Sequence, residues 1–190
     1  FVVDTFPRGS FGELIASLDL CKKKVFVYRP VKPELSGRPE FQSMLPLYDL
    51  VLVPERTLEV LVPPAAEPRT RAIGSVAVRE RGEMRSREDA RRRLALPAEA
   101  FVIHASAGGG GDPGAEADLS AVMEAFGDDP DVHLVIGAGP LYRGSPLYGP
   151  RVRFVTQLGA AELLRAADVA ISAAGYNAYT ELMLAEVPTV

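Results

Sequence analysis

The sequence predicts an α/β protein built on parallel sheets and divided into two units. Three observations lead there. Short runs rich in Val and Ile recur along all 190 residues, and they are continuously apolar, which is how strands buried on both faces read. Helical patterns lie between several of them, and strand alternating with helix means βαβ units. The alternation is interrupted once, over residues 63–86, where Pro63, Pro64, Pro68, Gly74, Gly82 and many charges crowd together.

In chain order the expected strands are "FVVD" (1–4), "KVFVYR" (24–29), "DLVLVP" (49–54), "EVLVP" (59–63), "FVIHAS" (101–106), "VHLVIG" (132–137), "VRFV" (152–155), "DVAIS" (168–172) and "PTV" (188–190). "AIGSV" (72–76) reads as a last strand of the first unit. Helices are expected over 12–18, 87–96, 115–126, 160–167 and 176–185. The boundaries follow: a first unit over 1–75, a linker over 76–86 and a second unit over 87–190. Right-handed crossovers put the loop after each strand on one edge of its sheet, where ligands bind.

Composition narrows the class. Hydrophobic residues make up 47% and charged residues 24%, the range of a soluble globular protein. A net charge of −4 argues against non-specific nucleic-acid binding. One cysteine, Cys21, excludes an internal disulfide and a Cys-rich zinc site, and suits a cytoplasmic location. His104 and His133 both lie in strand-like runs and read as packing residues rather than metal ligands. No apolar run approaches ~18 residues, so no transmembrane helix is expected. Phe1 and Val190 both sit in strand-like runs, so the chain reads as a piece of something longer. Residues 69–93 hold nine arginines against four acids. A linker and a solvated helix face explain them; a patch for an anionic lipid surface, or for a phosphorylated acceptor, is the alternative.

Candidate chemistry gathers at the strand ends. In "ADVAISAAGYNAYTEL" (167–182) a strand breaks at Ala-Ala-Gly and restarts as a helix. A helix N-terminus presents unpaired N–H groups and about half a positive charge, and Gly175 lets a phosphate approach the backbone. Glu181, six residues on, could accept hydrogen bonds from a sugar diol. A plain β-to-α turn with a solvated Glu181 fits the same residues. In "ASAGGGGDPGAEADL" (105–119), Gly109 to Gly114 match G-x-G-x-x-G, but any glycine run does. The acid that a dinucleotide site needs after the next strand is missing from "VIGAGP", so a classical NAD site is rejected. Gly137 and Gly139 make a third glycine loop, and "VRFVTQL" (152–158) a fourth strand end. Together these loops predict one crevice.

In the first unit, "VVDTFPRGSFGEL" (2–14) places Asp4 at a strand end, with Arg8, Gly9 and Glu13 in and after a tight loop. Asp4 reads equally as a turn residue and Glu13 as a first-turn acid. There is no P-loop and no nucleophile elbow. "DPD" (129–131) formally fits a metal motif, but in "GDDPDV" it reads as a turn.

"ADVAISAAGYNAYTELMLAEVPTV" resembles the donor-site signature of the two-domain GT-B glycosyltransferases, in the branch of the peptidoglycan N-acetylglucosaminyltransferase MurG. "RRRLALPAEAFVIHASAGGGGDPG" is similar to that branch's entry into its C-terminal domain, and "FVVDTFPRGSFGELI" to an N-domain loop of related glycosyltransferases. The resemblance implies two Rossmann-like domains, both incomplete here, with the donor bound by the second and the acceptor by the first. It implies that Glu181 binds the ribose hydroxyls. Gly175, Tyr176 and Asn177 offer N–H groups to the diphosphate, and Gly108, Gly109 and Gly110, with Gly111, line it. Phe154 and Val155 border the base, partly through main chain. Arg8, Gly9 and Gly137 fall to the cleft, and Asp4 and Glu13 are the candidate general bases. No metal and no cofactor is implied, because helix N–H groups can meet the charge of the leaving diphosphate.

The leading reading is a glycosyltransferase moving a sugar from a nucleoside-diphosphate donor, a UDP-sugar by resemblance, to an acceptor hydroxyl. Its partners are that donor and an acceptor the sequence does not name. Because the usual loop after the last strand and the start of the N-domain are absent, the chain alone is expected to be inactive. A GT-B-fold sugar-nucleotide epimerase and a non-catalytic nucleotide-sugar-binding module are the alternatives.

Overall fold

The computed structural model describes residues 1–54, 60–156, 160–173 and 175–190. The chain divides into two compact units, Phe1–Val76 and Ala77–Val190. The first carries four parallel strands, β1 (Val2–Asp4), β2 (Val25–Val27), β3 (Leu50–Val53) and β4 (Thr70–Ala72), in that spatial order. Helix α1 (Ile15–Leu20) follows β1. Two single turns, α2 (Pro33–Ser36) and α3 (Pro39–Gln42), follow β2. Each opens on a proline, whose fixed φ and missing N–H suit the first helical position. Phe26, Tyr28, Phe41, Leu45, Tyr48, Val51 and Val53 form the core.

Two expectations for this unit are corrected. Among the described residues 60–63 there is no strand; Glu59 lies outside them. The fourth strand is Thr70–Ala72, not "AIGSV". The ladder ends after the Ile73 N–H reaches the Val53 carbonyl at 3.1 Å, and Gly74 follows at a φ of 79°, which turns the chain off the sheet.

The second unit carries β5 (Phe101–Ser106), β6 (Val132–Gly137), β7 (Val152–Val155) and β8 (Val169–Ser172) in the order β7-β6-β5-β8, all parallel. Thr189 bridges to Ala170 beside β8, so "PTV" adds a single bridge rather than a full strand. Helix α4 (Arg87–Arg93) is capped by Ser86, whose hydroxyl accepts from the Asp89 N–H at 3.2 Å. Helix α5 (Ala115–Phe126) sets Ala115, Leu119, Val122, Met123 and Phe126 on one face. Burying one such Leu is worth roughly 1.5–3 kcal/mol. Helix α6 (Tyr176–Ala185) closes on Glu186 in the left-handed region, where the Val187 N–H returns to the Leu182 carbonyl at 3.3 Å. Ala160–Ala166 wind as a 3-10 helix rather than an α-helix.

Alternation along each strand splits the second core. Ile103, Ala105, Leu134 and Ile136 face α5. Val102, Val135 and Ala170 face the layer of α4, α6 and the 3-10 turn. Part of the expected linker belongs to this unit: Met84 is buried in the latter core, and a capping box between Glu80 and Glu83 shapes the turn before it.

Candidate functional site

The strand order of the second sheet selects two loops. From β5 the chain adds β6 and β7 on one side, then crosses back to place β8 on the other side of β5. Strand direction is unchanged, but the winding reverses between β5 and β8. In open parallel sheets ligands bind outside the carboxyl ends of the strands at such a switch point. Here those ends are Ser106 and Ser172, partners in register. The Ala173 N–H continues the pairing to the Ser106 carbonyl at 3.2 Å. Gly108, Gly109 and the start of α6 therefore flank one crevice mouth.

The glycine loops after β5 and β6 mate backbone to backbone. The Leu141 N–H reaches the Gly109 carbonyl at 2.9 Å. A Cβ on Gly110 would stand 2.2 Å from the Ala138 oxygen, and one on Gly139 would stand 2.4 Å from the Gly108 oxygen. Both glycines also have positive φ. Gly110 is thus buried as a loop-positioning residue, which corrects its expected place against a diphosphate. Gly137 is corrected likewise: it is buried, and an added Cβ would meet the His104 ring at 3.0 Å. By contrast, a Cβ on Gly108, Gly109 or Gly175 would find nothing within 4 Å. We expect Gly110→Ala and Gly139→Ala each to cost at least about 1–2 kcal/mol from the left-handed backbone alone. Gly109→Ala and Gly175→Ala should stay within about 0.5 kcal/mol of the parent. Thermal unfolding of the four variants checks this.

Helix α6 begins without a side-chain cap and without an acid in its first turn. Gly175 and Asn177 are exposed and Tyr176 is half-buried. The Thr180 hydroxyl donates to the Tyr176 carbonyl at 2.8 Å, which keeps that side chain out of the mouth. Glu181 lies six residues past Gly175, a rise of about 9 Å along the axis. It is half-buried, and among the described residues its carboxylate accepts no hydrogen bond. Burial raises its pKa above the ordinary carboxylate value, against a lowering pull from the charge of Arg79.

Phe154 and Val155 face opposite sides of the sheet. Phe154 stacks at 5.8 Å on Tyr142, over the α5 layer. Val155 packs into the other layer with Leu163 and Leu164. Their side chains do not share one pocket. β7 is an edge strand, and the Arg151 and Val155 carbonyls accept from the Leu134 and Ala138 N–H groups at 2.9 and 3.1 Å. The alternating main-chain groups of Phe154 therefore point to the open edge.

In the first unit, Asp4 ends β1 but is held by Arg29: Nε donates to one carboxylate oxygen at 3.0 Å and the terminal nitrogen to the other. Glu13 braces its own loop. Its carboxylate accepts the Ser10 and Phe11 N–H groups at 3.3 and 2.8 Å, and main-chain hydrogen bonds hold its pKa below the ordinary value. Gly9 lies under that carboxylate, 2.3 Å from where its Cβ would be. The buried Tyr48 hydroxyl anchors the loop by donating to the Pro7 carbonyl. Arg8 is exposed beside a cleft.

Among the described residues, all the arginines of residues 69–93 except Arg79 have internal partners. Arg81 pairs with Glu186, Arg85 with Asp89 and Glu162, and Arg87 and Arg91 with Asp168. Arg92 and Arg93 also reach Asp89. Arg69 and Arg71 donate to carbonyls of their own unit. Among the described residues no helix is long and apolar enough to cross a membrane.

No protein-family model matches the chain, and no curated protein matches it. Solved structures do. The chain is similar to the glycotransferase of kitacinnamycin, at 17% identity and a TM-score of 0.54, over 100% of this chain and 56% of that one. It is similar to sucrose-phosphate synthase from Thermosynechococcus elongatus, at 17% identity and a TM-score of 0.57, over 99% and 55%. It is also similar to Anabaena HepE, solved in complex with UDP-glucose, at 16% identity and a TM-score of 0.57, over 99% and 58%. The fold is GT-B. The chain spans little more than half the length of these GT-B structures.

Within this GT-B fold, sequence reasoning missed the partnership of the two glycine loops and the ring of His104 under Gly137. Gly108, Gly110 and Gly139 take positive φ, which the sequence does not show. Arg91, expected on a solvated helix face, has a side chain only 4% exposed.

Proposed function

We propose that this chain is the donor-binding part, with a portion of the acceptor side, of a glycosyltransferase of the MurG-like branch. It takes a nucleoside-diphosphate sugar, a UDP-sugar, and transfers the sugar to an acceptor hydroxyl. The observation that carries the reading is Glu181: a half-buried carboxylate that accepts no hydrogen bond among the described residues, on a helix that starts beside the switch point without a side-chain cap. One ligand with an anionic end and a diol end satisfies both. In this reading the N–H groups of Tyr176 and Asn177 and the backbone at Gly108, Gly109 and Gly175 hold the diphosphate. Glu181 holds the ribose, and the edge-facing main chain of Phe154, with Val155 behind it, borders the base. Preorganised N–H donors meet the leaving-group charge, so no metal ion and no cofactor is needed. Asp4 and Glu13 remain the two candidate general bases: Asp4 is paired with Arg29, and Glu13 is held low by main-chain hydrogen bonds. The HepE complex with UDP-glucose supports the donor class at the level of fold.

Calorimetry with UDP and UDP-N-acetylglucosamine tests this. Hydrogen bonds to a charged group are worth about 1.5–3 kcal/mol, so Glu181→Gln should weaken UDP binding by about 10- to 150-fold. The same variant should be at least as stable as the parent at pH 7, because the raised pKa means that ionised Glu181 costs stability above its folded value. UDP affinity of the parent should fall as acid protonates Glu181, at a higher pH than for an unburied glutamate. Chelation with EDTA should leave binding unchanged. Binding of NADH without UDP sinks the proposal.

A further inference from the structure

The first unit holds a cleft of about 480 Å³ lined by Arg8, Leu35, Arg38, Glu40 and Phe41. Its size falls in the range of small-molecule sites. Arg8 comes from the loop after β1, while the others come from α2, α3 and the turn between them. Arg8 and Arg38 are both exposed. Among the described residues neither meets a carboxylate: the Arg38 Nε donates to the Glu34 carbonyl at 3.1 Å, and the Arg8 side chain makes no hydrogen bond. This sets them apart from the paired arginines of the second unit. Glu40 brings a carboxylate without an ion pair to the same cleft, and Phe41 is 4% exposed in its floor.

We propose that this cleft binds a phosphorylated sugar. A carboxylate offers two oxygens and is satisfied by one guanidinium fork, whereas a phosphate offers three and can take two forks. Two guanidinium groups without a carboxylate partner therefore suit phosphate. Glu40 accepts from a ring hydroxyl, and Leu35 and Phe41 supply the apolar wall on which the sugar carbons rest. That the ligand is the sugar acceptor rests on the proposed transferase function; that the cleft binds a phosphorylated polyol does not.

Binding of glucose 6-phosphate, inorganic phosphate and glucose, followed by NMR line shifts and calorimetry, tests it. The parent should bind glucose 6-phosphate more tightly than inorganic phosphate, and glucose not measurably. Arg8→Gln with Arg38→Gln should weaken glucose 6-phosphate at least tenfold with Tm unchanged. Glu40→Gln should weaken glucose 6-phosphate and spare inorganic phosphate. A double variant that binds as the parent does, or a parent that binds none of the three, overturns the site. Equal affinity for phosphate and glucose 6-phosphate overturns the sugar assignment. UDP binding is read on the same samples. Its absence sinks the donor-site reading and leaves this cleft standing, so the two failures are distinguishable.

Discussion

Replacing Asp168 with Ala should cost about 3–5 kcal/mol, the penalty for stranding a buried charge and a large part of a domain's stability. Asp168 sits just before β8 and accepts from three sources. The Val102 N–H reaches it at 2.7 Å, Arg91 at 2.8 Å, and Arg87 completes the set. The Arg91 side chain is 4% exposed, and its other donors go to the Ala166 carbonyl at 3.0 Å and the Ala98 carbonyl. Without the carboxylate, a buried guanidinium loses its counter-charge and the Val102 N–H near the start of β5 loses its acceptor. Burial alone raises the Asp168 pKa, but the hydrogen bonds from Arg87 and Val102 and the two arginine charges outweigh it and lower the pKa overall. The stabilisation is thus present above the ordinary Asp value and is lost as pH falls through the folded one. Asp168→Asn keeps an acceptor for Val102 and should lose less. Urea unfolding measures both, and a loss under about 1 kcal/mol for the Ala variant refutes the argument.

The second large effect is acid instability from His104. His104 lines a small buried gap with Leu94, Val135, Val155, Leu163 and Leu164, and burial pushes its pKa down from 6.5 to about 4. The unfolded chain takes up a proton below pH 6.5 while the folded one does not, so stability falls as pH drops from 6.5 to about 4 and then levels. At about 1.4 kcal/mol per pH unit the loss is about 3 kcal/mol. His133 is lowered too, by burial first and then by Arg151, Arg153 and Arg91, and adds in the same direction. Glu181, with its raised pKa, works against both. Unfolding curves at stepped pH should show His104→Leu flattening the slope and His133→Gln changing it less. An unchanged slope in His104→Leu refutes the assignment.

What was legible in the sequence follows from local physics. The strands 101–106, 132–137 and 152–155 and the helices 115–126 and 176–185 stand where the apolar runs and periodicities place them. Long, uniformly apolar segments have one low-energy use, in a sheet covered on both faces. Short elements were less legible. The turns α2 and α3 are four residues each, too brief to show a period. β4 is three residues of Thr, Arg and Ala, held by pairing with β3 rather than by its own composition.

Chain order and apolar patterning thus determined the α/β class, the parallel strands and the gathering of glycine loops at strand ends. Only the tertiary structure decided which of those loops stay open at the strand ends. Sheet order put β8 beside β5 and made their ends the switch point. Backbone approach then divided the glycines: Gly110, Gly137 and Gly139 are filled by neighbours, while Gly108, Gly109 and Gly175 stay open. It also separated arginines that look alike in sequence. Those near Asp89 and Asp168 are neutralised at contact distance, and Arg8 and Arg38 keep free donors. A Cβ clash and an ion pair both depend on distances of a few ångströms between residues far apart in the chain, which sequence spacing does not encode.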